Sequence, residues 1–375
     1  MASIYIDIAE LVRNPLRTGI QRVVRELLTH WPVDVPVTIV RYQDSPDRLQ
    51  RVPDAAVQMV IESASNPYLD EQVFVEDIKR ALQEGNSEPV VPGPGDWIFV
   101  PELFVSLQRA SFYEAQKARG VRLALIAYDF LGWLSPDQVA IEKTGGLNHY
   151  LQVLKIADRR CFISSAVREE FYSRILRLPV QEDAVLPLGA DGLRSIGKPV
   201  IDADAPFLCP GALDGRKGQD LVFDAFINNS ACRDFSLTFA GRVPPRPRPN
   251  LEPLLAYRGS RVRVLDNPDD AALAAAIASS RACLFVSQYE GFGLPAIESL
   301  YLGVPVVVSA DLPAVSDLPD FGQLRLKTVD RQSISDALTR LASPDEIGRL
   351  ASDTGKLQLR TWRDYAISVA AWVCA

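Results

Sequence analysis

Ser287-Gln-Tyr-Glu-Gly-Phe-Gly-Leu-Pro-Ala-Ile-Glu-Ser299 is the stretch on which the fold turns. Two carboxylates, Glu290 and Glu298, flank a glycine-containing turn and a helix start, so both can face one small cleft. Ala282-Cys-Leu-Phe-Val-Ser287 before them is a short apolar run, and Val304-Pro-Val-Val-Val-Ser309 after them is another, the pattern of parallel strands covered on both faces. Pro295 suits the first helical turn and Gly303 suits the helix exit. The spacing predicts strand, turn, short helix, strand, with Glu290 in the turn and Glu298 about one turn into the helix. A ligand then belongs at the carboxyl end of the first strand, where the backbone amides of Gly291, Phe292, Gly293 and Leu294 and the helix N-terminus favour an anion. The plainer reading makes both glutamates surface acids at a loop and helix start, where acids are common.

The segment Glu290-Gly-Phe-Gly-Leu-Pro-Ala-Ile-Glu298, with Gly303-Val-Pro305 after it, resembles the E-x7-E signature of glycosyltransferase family 4, retaining enzymes of the GT-B fold. The resemblance implies an α/β protein built of two Rossmann-like domains with parallel sheets facing across a cleft. It implies Glu290 as the contact to the donor sugar and Glu298 as the anchor of the nucleotide's ribose. A carboxylate suits both tasks, because its two oxygens can accept from neighbouring hydroxyls at once.

A second constellation is Pro210-Gly-Ala-Leu-Asp-Gly-Arg-Lys-Gly-Gln-Asp-Leu-Val-Phe-Asp-Ala-Phe226. Glycines bracket Arg216 and Lys217 just before a helix whose apolar residues recur at 221, 222, 225 and 226, which projects the basic pair from a loop at a helix N-terminus. The bland alternative is two solvated charges. Family members carry a similar strand, glycine, loop, Arg-Lys-Gly, helix, with Gly211 at the first glycine and the basic pair neutralising the departing nucleoside diphosphate. Many also have an arginine directly after that glycine. Ala212 stands there in this chain, which leaves the charge to Arg216, Lys217 and Arg242.

Near the start, Ile4-Tyr-Ile-Asp-Ile8 alternates as a strand, and Thr18-Gly19 precedes Ile20-Gln-Arg-Val-Val-Arg-Glu-Leu-Leu28, whose apolar positions share one helical face. Gly19 sits at a loop-to-helix entry, near the donor diphosphate by resemblance and an ordinary turn residue by the simpler reading. The strand Arg122-Leu-Ala-Leu-Ile-Ala-Tyr-Asp-Phe-Leu131 resembles the segment where many relatives carry His-Asp; here Tyr128-Asp129 stands instead. Asp129 is retained as a catalytic candidate, while the lost imidazole suggests a donor without a 6-hydroxyl.

With 375 residues, two domains are the natural division. Further strands are read at 37–42, 57–62, 97–101, 160–163, 207–210, 236–240 and 262–265, and helices at 107–119, 144–157 and 166–176, a βαβ pattern. Residues 63–95 look like an insertion, with Asn66-Pro67 and one helix from Asp70 to Glu84. Residues 187–199 read as the connection between domains. The boundaries are 1–190 for an acceptor-side domain, 191–356 for a nucleotide-sugar domain, and 357–375 for a helix carrying Trp362 and Trp372 that, by resemblance, crosses back to the first domain. Pro244-Pro-Arg-Pro-Arg-Pro249 reads as an extended surface loop.

The composition, 47% hydrophobic and 23% charged, is that of a globular chain. A net charge of −7 argues against nucleic acid as partner, because phosphate binding leaves a basic footprint. Residues 1–190 hold 20 Lys and Arg against 25 Asp and Glu, so contact with a membrane would have to be local. No apolar stretch approaches a bilayer span and the opening residues lack the regions of a signal peptide, which predicts the cytoplasm, with the inner membrane face as a place of work. Five scattered cysteines without Cys-x-x-Cys spacing predict reduced thiols and no zinc site.

The resemblance thus implies transfer of a hexose or 6-deoxyhexose, of mannose or rhamnose type, from a nucleoside-diphosphate sugar to a glycan or lipid-linked glycan acceptor in surface polysaccharide synthesis. No cofactor or metal is expected beyond that co-substrate, with basic residues doing a metal's work. Two rivals stay open: a non-catalytic nucleotide-sugar-binding subunit of a transferase complex, and a GT-B-like nucleotide-sugar epimerase.

Overall fold

The computed structural model describes residues 2–14, 18–45, 47–66, 71–85, 87–134, 141–193 and 204–375. Pro67 and Asp70 of the expected insertion, and residues 194–199 of the expected connection, lie outside them. The chain divides into unit 1, residues 1–189 with 360–375, and unit 2, residues 190–359.

Among the described residues, unit 1 holds strands β1 (Ile4–Asp7), β2 (Thr38–Asp44), β3 (Asp47–Arg51), β4 (Pro89–Val90), β5 (Trp97–Val100), β6 (Arg122–Ala127), β7 (Arg159–Phe162) and β8 (Ala184–Val185). They form one sheet in the order β4-β3-β2-β1-β5-β6-β7-β8. Pairing is parallel from β2 through β8 and antiparallel at β2–β3 and β3–β4. The helix Trp362–Cys374 belongs to this unit. Trp362, Tyr365, Ala366, Val369, Ala370 and Val373 line its buried face, and Trp372 meets Phe99 edge to face at 6.0 Å. Arg159 Nη1 donates to Val373 O at 2.9 Å, meeting an end carbonyl of that helix.

Two sequence readings in unit 1 are corrected and one strand is added. Residues 57–62 are not a strand but part of the helix Asp54–Ser65, which buries Ala56 and Val60 one turn apart. The apolar run Val57-Gln-Met-Val-Ile61 is too short for its period to be read. The adjoining strand is β3 instead, a hairpin partner of β2 that sets Leu49 opposite Tyr42, both buried. The helix expected over 166–176 is α-helical only at Ser165–Glu169; Glu170–Leu176 is π-helix, ending at Arg177 with φ 56°.

Unit 1 also buries charge. Arg109 and Asp7 lie 3.3 Å apart at 1% and 0% side-chain exposure, with Glu102 Oε2 at 3.4 Å from the same guanidinium. Asp7 accepts from Tyr113 Oη at 2.5 Å and from Ala9 N and Tyr42 N, while Glu102 accepts from Glu10 N and Leu11 N. Hydrogen bonds to both acids make burial tolerable. Burial still raises the Glu102 carboxyl to about 8, against the pull of Arg109.

Unit 2 holds β9 (Phe207–Pro210), β10 (Leu237–Ala240), β11 (Val262–Leu265), β12 (Ala282–Phe285), β13 (Val306–Ser309) and β14 (Gln323–Leu326), all parallel, in the order β11-β10-β9-β12-β13-β14. Phe207, Phe239, Leu284 and Val307 from the strands pack with Val222 and Phe226 of the helix Gln219–Asn228 and with Ile334 and Leu338 of the helix Arg331–Ala342. After β9 the chain winds to one side of the sheet, and from β12 onward it occupies the other. β9 and β12 therefore flank the reversal point, where the loops beyond their carboxyl ends open a crevice.

Candidate active site

The sequence places its two motifs in these two loops. Gly211 to Gly218 follows β9, and Ser287 to Gly293 follows β12. Because β9 and β12 are hydrogen-bonded neighbours, with Ala282 beside Phe207 and Cys283 beside Leu208, the loops must meet. Gln288 N donates to Arg216 O at 3.2 Å, joining them through the backbone.

The basic pair sits on a single 3-10 turn, Gly215–Lys217. Asp214 caps it, its side chain accepting from Arg216 N at 3.3 Å, an Asx turn of the kind Asp before Gly favours. Asp214 Oδ2 also takes Arg216 Nε at 3.0 Å, and Arg216 Nη1 donates to Tyr289 O at 2.9 Å. Arg216 is thus fixed from three sides. Lys217 Nζ lies 3.3 Å from Glu290 Oε1 and 5.6 Å from the centre of the Phe285 ring. Arg216 Nη1 stands 4.0 Å from the same oxygen. Glu290 Oε1 is buried and accepts no hydrogen bond, so its charge is met through these two cations.

Two glycines are required by geometry. Gly211 has φ +115°, and a Cβ there would stand 3.4 Å from Lys217 Nζ. Gly293 has φ +111°, and a Cβ there would meet Leu312 Cδ1 at 2.8 Å. The helix Leu294–Tyr301 starts directly after Gly293, with Pro295 in its first turn as the sequence predicts. Phe292 is buried, and its carbonyl accepts from Ala314 N at 2.9 Å. Glu298 lies one turn into the helix at 1% exposure, far more enclosed than Glu290. The Cys209 and Cys283 thiols in β9 and β12 are pushed up by burial, Cys283 to about 11, which keeps them protonated near neutrality.

The structure thus brings Gly211, Arg216, Lys217 and Glu290 together in unit 2, with Gly291 to Leu294 and Glu298 following in the chain. Gly19 and Asp129 belong to unit 1. Gly19 is the first residue of the helix Gly19–Thr29, capped by Thr18, and a Cβ there would touch nothing within 4 Å. Asp129 follows β6, half-buried, and accepts from Leu131 N at 3.1 Å. Its neighbour Tyr128 turns inward, donating from Oη to Pro101 O at 2.6 Å. Asp214 is a site residue the sequence reading passed over, although Asp-Gly ahead of a basic pair signals the turn it makes.

Comparison with known proteins agrees with this architecture. Residues 205–343 match the family described as "Glycosyl transferases group 1". The chain is 26% identical over 348 residues to the serotype-specific mannosyltransferase WbdA of Escherichia coli, covering 84% of this chain and 38% of that protein. It therefore spans well under half the length of this curated relative. The MMP alpha-(1->4)-mannosyltransferase of Mycolicibacterium hassiacum is 30% identical over 205 residues, 50% of this chain and 47% of that one. Among solved structures, a sucrose-phosphate synthase from Thermosynechococcus elongatus superposes with a TM-score of 0.65 at 20% identity, covering 100% and 98% of the two chains. WaaG, a glycosyltransferase involved in lipopolysaccharide biosynthesis, gives 0.61 at 14% identity over 98% of each chain. At such identities the structural likeness speaks for the fold alone, two parallel-sheet α/β domains of GT-B type.

Proposed function

We propose that this chain, which belongs to the group 1 glycosyltransferases of GT-B fold, transfers a hexose or 6-deoxyhexose of mannose or rhamnose type, with retention, from a nucleoside-diphosphate sugar to a glycan or lipid-linked glycan in surface polysaccharide synthesis. The observation that carries the reading is the meeting of Lys217 and Glu290 at the carboxyl ends of β9 and β12, a cation for a diphosphate beside a carboxylate for sugar hydroxyls. The mannosyltransferase relatives support the sugar type.

In this reading the bond from the anomeric carbon to the diphosphate oxygen breaks as the acceptor oxygen bonds to that carbon on the same face. The acceptor's proton passes to the departing phosphate oxygen. Arg216, Lys217 and the amides of residues 291–294 stabilise the growing negative charge, at about 3 kcal/mol per well-placed donor. These cations take the part of a metal ion. Gly211 gives the diphosphate a close approach to the backbone. Glu290 orients the sugar without forming a covalent bond to it, and Glu298 holds the ribose.

Donor turnover tests this. Nucleoside diphosphate release is measured against a panel of GDP-, UDP- and dTDP-sugars with and without EDTA. Slow, EDTA-resistant release from one donor is expected. Loss of release in EDTA would refute the metal-free step, and turnover of glucose nucleotides alone would refute the sugar assignment. Nucleotide binding without release from any donor, acceptor extracts included, would favour the non-catalytic subunit.

A further inference from the structure

The loop carrying the basic pair is held from beneath by one side chain. Gln219 opens the helix Gln219–Asn228 and is 1% exposed. Its Oε1 accepts from Asp214 N at 2.8 Å, and its Nε2 donates to Gly211 O and Ala212 O, each at 3.2 Å. The amide therefore uses both its acceptor and its donor ends on the loop, and its burial makes each lost bond costly. These bonds tie Gly211, against which Lys217 packs, to Asp214, which holds the Arg216 side chain and accepts from Lys217 N at 2.8 Å. From the outer side Asn250 Nδ2 donates to Gly215 O at 3.3 Å, so the turn is gripped on both faces.

We propose that Gln219 is the positioning residue of this cation cradle, fixing the span from Gly211 to Asp214 so that Arg216 and Lys217 meet a diphosphate together. The inference rests on the proposed function, since it takes the cradle's ligand to be the diphosphate of the donor. Gln219 touches no ligand in this role; it acts through the loop backbone. A glutamate of the same shape would keep the bond from Asp214 N but set a carboxylate against two carbonyls.

The test is calorimetric titration of wild type, Gln219→Glu, Gln219→Met and Lys217→Ala. The probes are GDP, UDP and dTDP, followed by the nucleoside matching whichever binds best. Both Gln219 variants are expected to weaken diphosphate binding about tenfold or more, about 1.4 kcal/mol, while nucleoside binding stays within about twofold. Gln219→Met, uncharged and similar in length, carries the test if Gln219→Glu does not fold. Equal loss for diphosphate and nucleoside would overturn the proposal, as would failure of both variants to give a cooperative melt. Unchanged diphosphate binding in the Gln219 variants, beside a loss in Lys217→Ala, would overturn it and leave the function standing. Unchanged binding in Lys217→Ala too would overturn the function itself.

Discussion

Lys217 Nζ and Glu290 Oε1 stand 3.3 Å apart, so the cation assigned to the diphosphate and the carboxylate assigned to the sugar neutralise each other when no donor is present. A nucleoside diphosphate without its sugar must draw Lys217 away and leave Glu290 poorly compensated. Glu290→Gln is therefore expected to bind the free diphosphate more tightly, by about fivefold if the pair is worth about 1 kcal/mol. The same variant should lose transfer by about a hundredfold or more, because the sugar contact is gone. Titration and turnover on one preparation decide it, and weaker diphosphate binding in Glu290→Gln would count against the exchange.

Lys217→Ala and Arg216→Ala should part company. Lys217 contributes charge and little else, so its loss should cut turnover by about a hundredfold with a small change in melting temperature. Arg216 also bonds Asp214 and Tyr289 O, so Arg216→Ala should lower the melting temperature as well. Thermal melts beside donor turnover separate the two, and equal melting losses would contradict this division of labour.

Glu298 invites a sharper question than Glu290, because 1% exposure also fits a purely structural acid. If it holds the ribose, Glu298→Gln should weaken a nucleoside diphosphate and its nucleoside by the same factor, about fivefold or more. The matching 2′-deoxynucleotide, which keeps one of the two hydroxyls, should lose less on the same substitution. Equal affinity of wild type and variant for the ribonucleotide would remove the ribose assignment.

Gly293→Ala should destabilise unit 2 by about 1–3 kcal/mol, since φ +111° and the Leu312 contact at 2.8 Å both oppose a side chain. Denaturant unfolding measures it. A variant as stable as wild type would mean the turn can relax without cost.

A pH effect is expected in unit 1. The Glu102 carboxyl is raised from 4.5 to about 8 in the folded chain. Between those values the folded chain keeps a proton that the unfolded chain has lost, so its contribution to stability falls as pH rises through this window and is level on either side. Stability curves of wild type and Glu102→Gln should diverge between the two values, the wild type losing ground toward pH 8. Parallel curves would show the carboxyl titrating normally.

Unit 2 was largely legible because its strands are short apolar runs bounded by Gly, Pro and Asp, and Phe207–Pro210 and Ala282–Phe285 emerge with those residues. The loop positions of Glu290, Arg216 and Lys217 were legible as well, since turn residues and helix starts mark those loops. Burial of polar groups was not legible. Gln219 at a helix start and Arg109 within a helix have the spelling of solvated residues, and only packing turns them inward. The hairpin strand Asp47–Arg51 escaped for a related reason: a polar strand gains its place from its partner β2 more than from its own pattern.

The chain leaves unit 1 after Gly189 and rejoins it at Arg360, so one unit is spliced into the other. On a ribosome, residues 190–359 emerge complete while the first sheet still waits for the helix Trp362–Cys374 to cover it. Unit 1 thus receives its last helix only after the whole of unit 2 has been made. A chain cut after residue 359 would carry a complete unit 2 and a first sheet without the helix Trp362–Cys374 over its apolar residues.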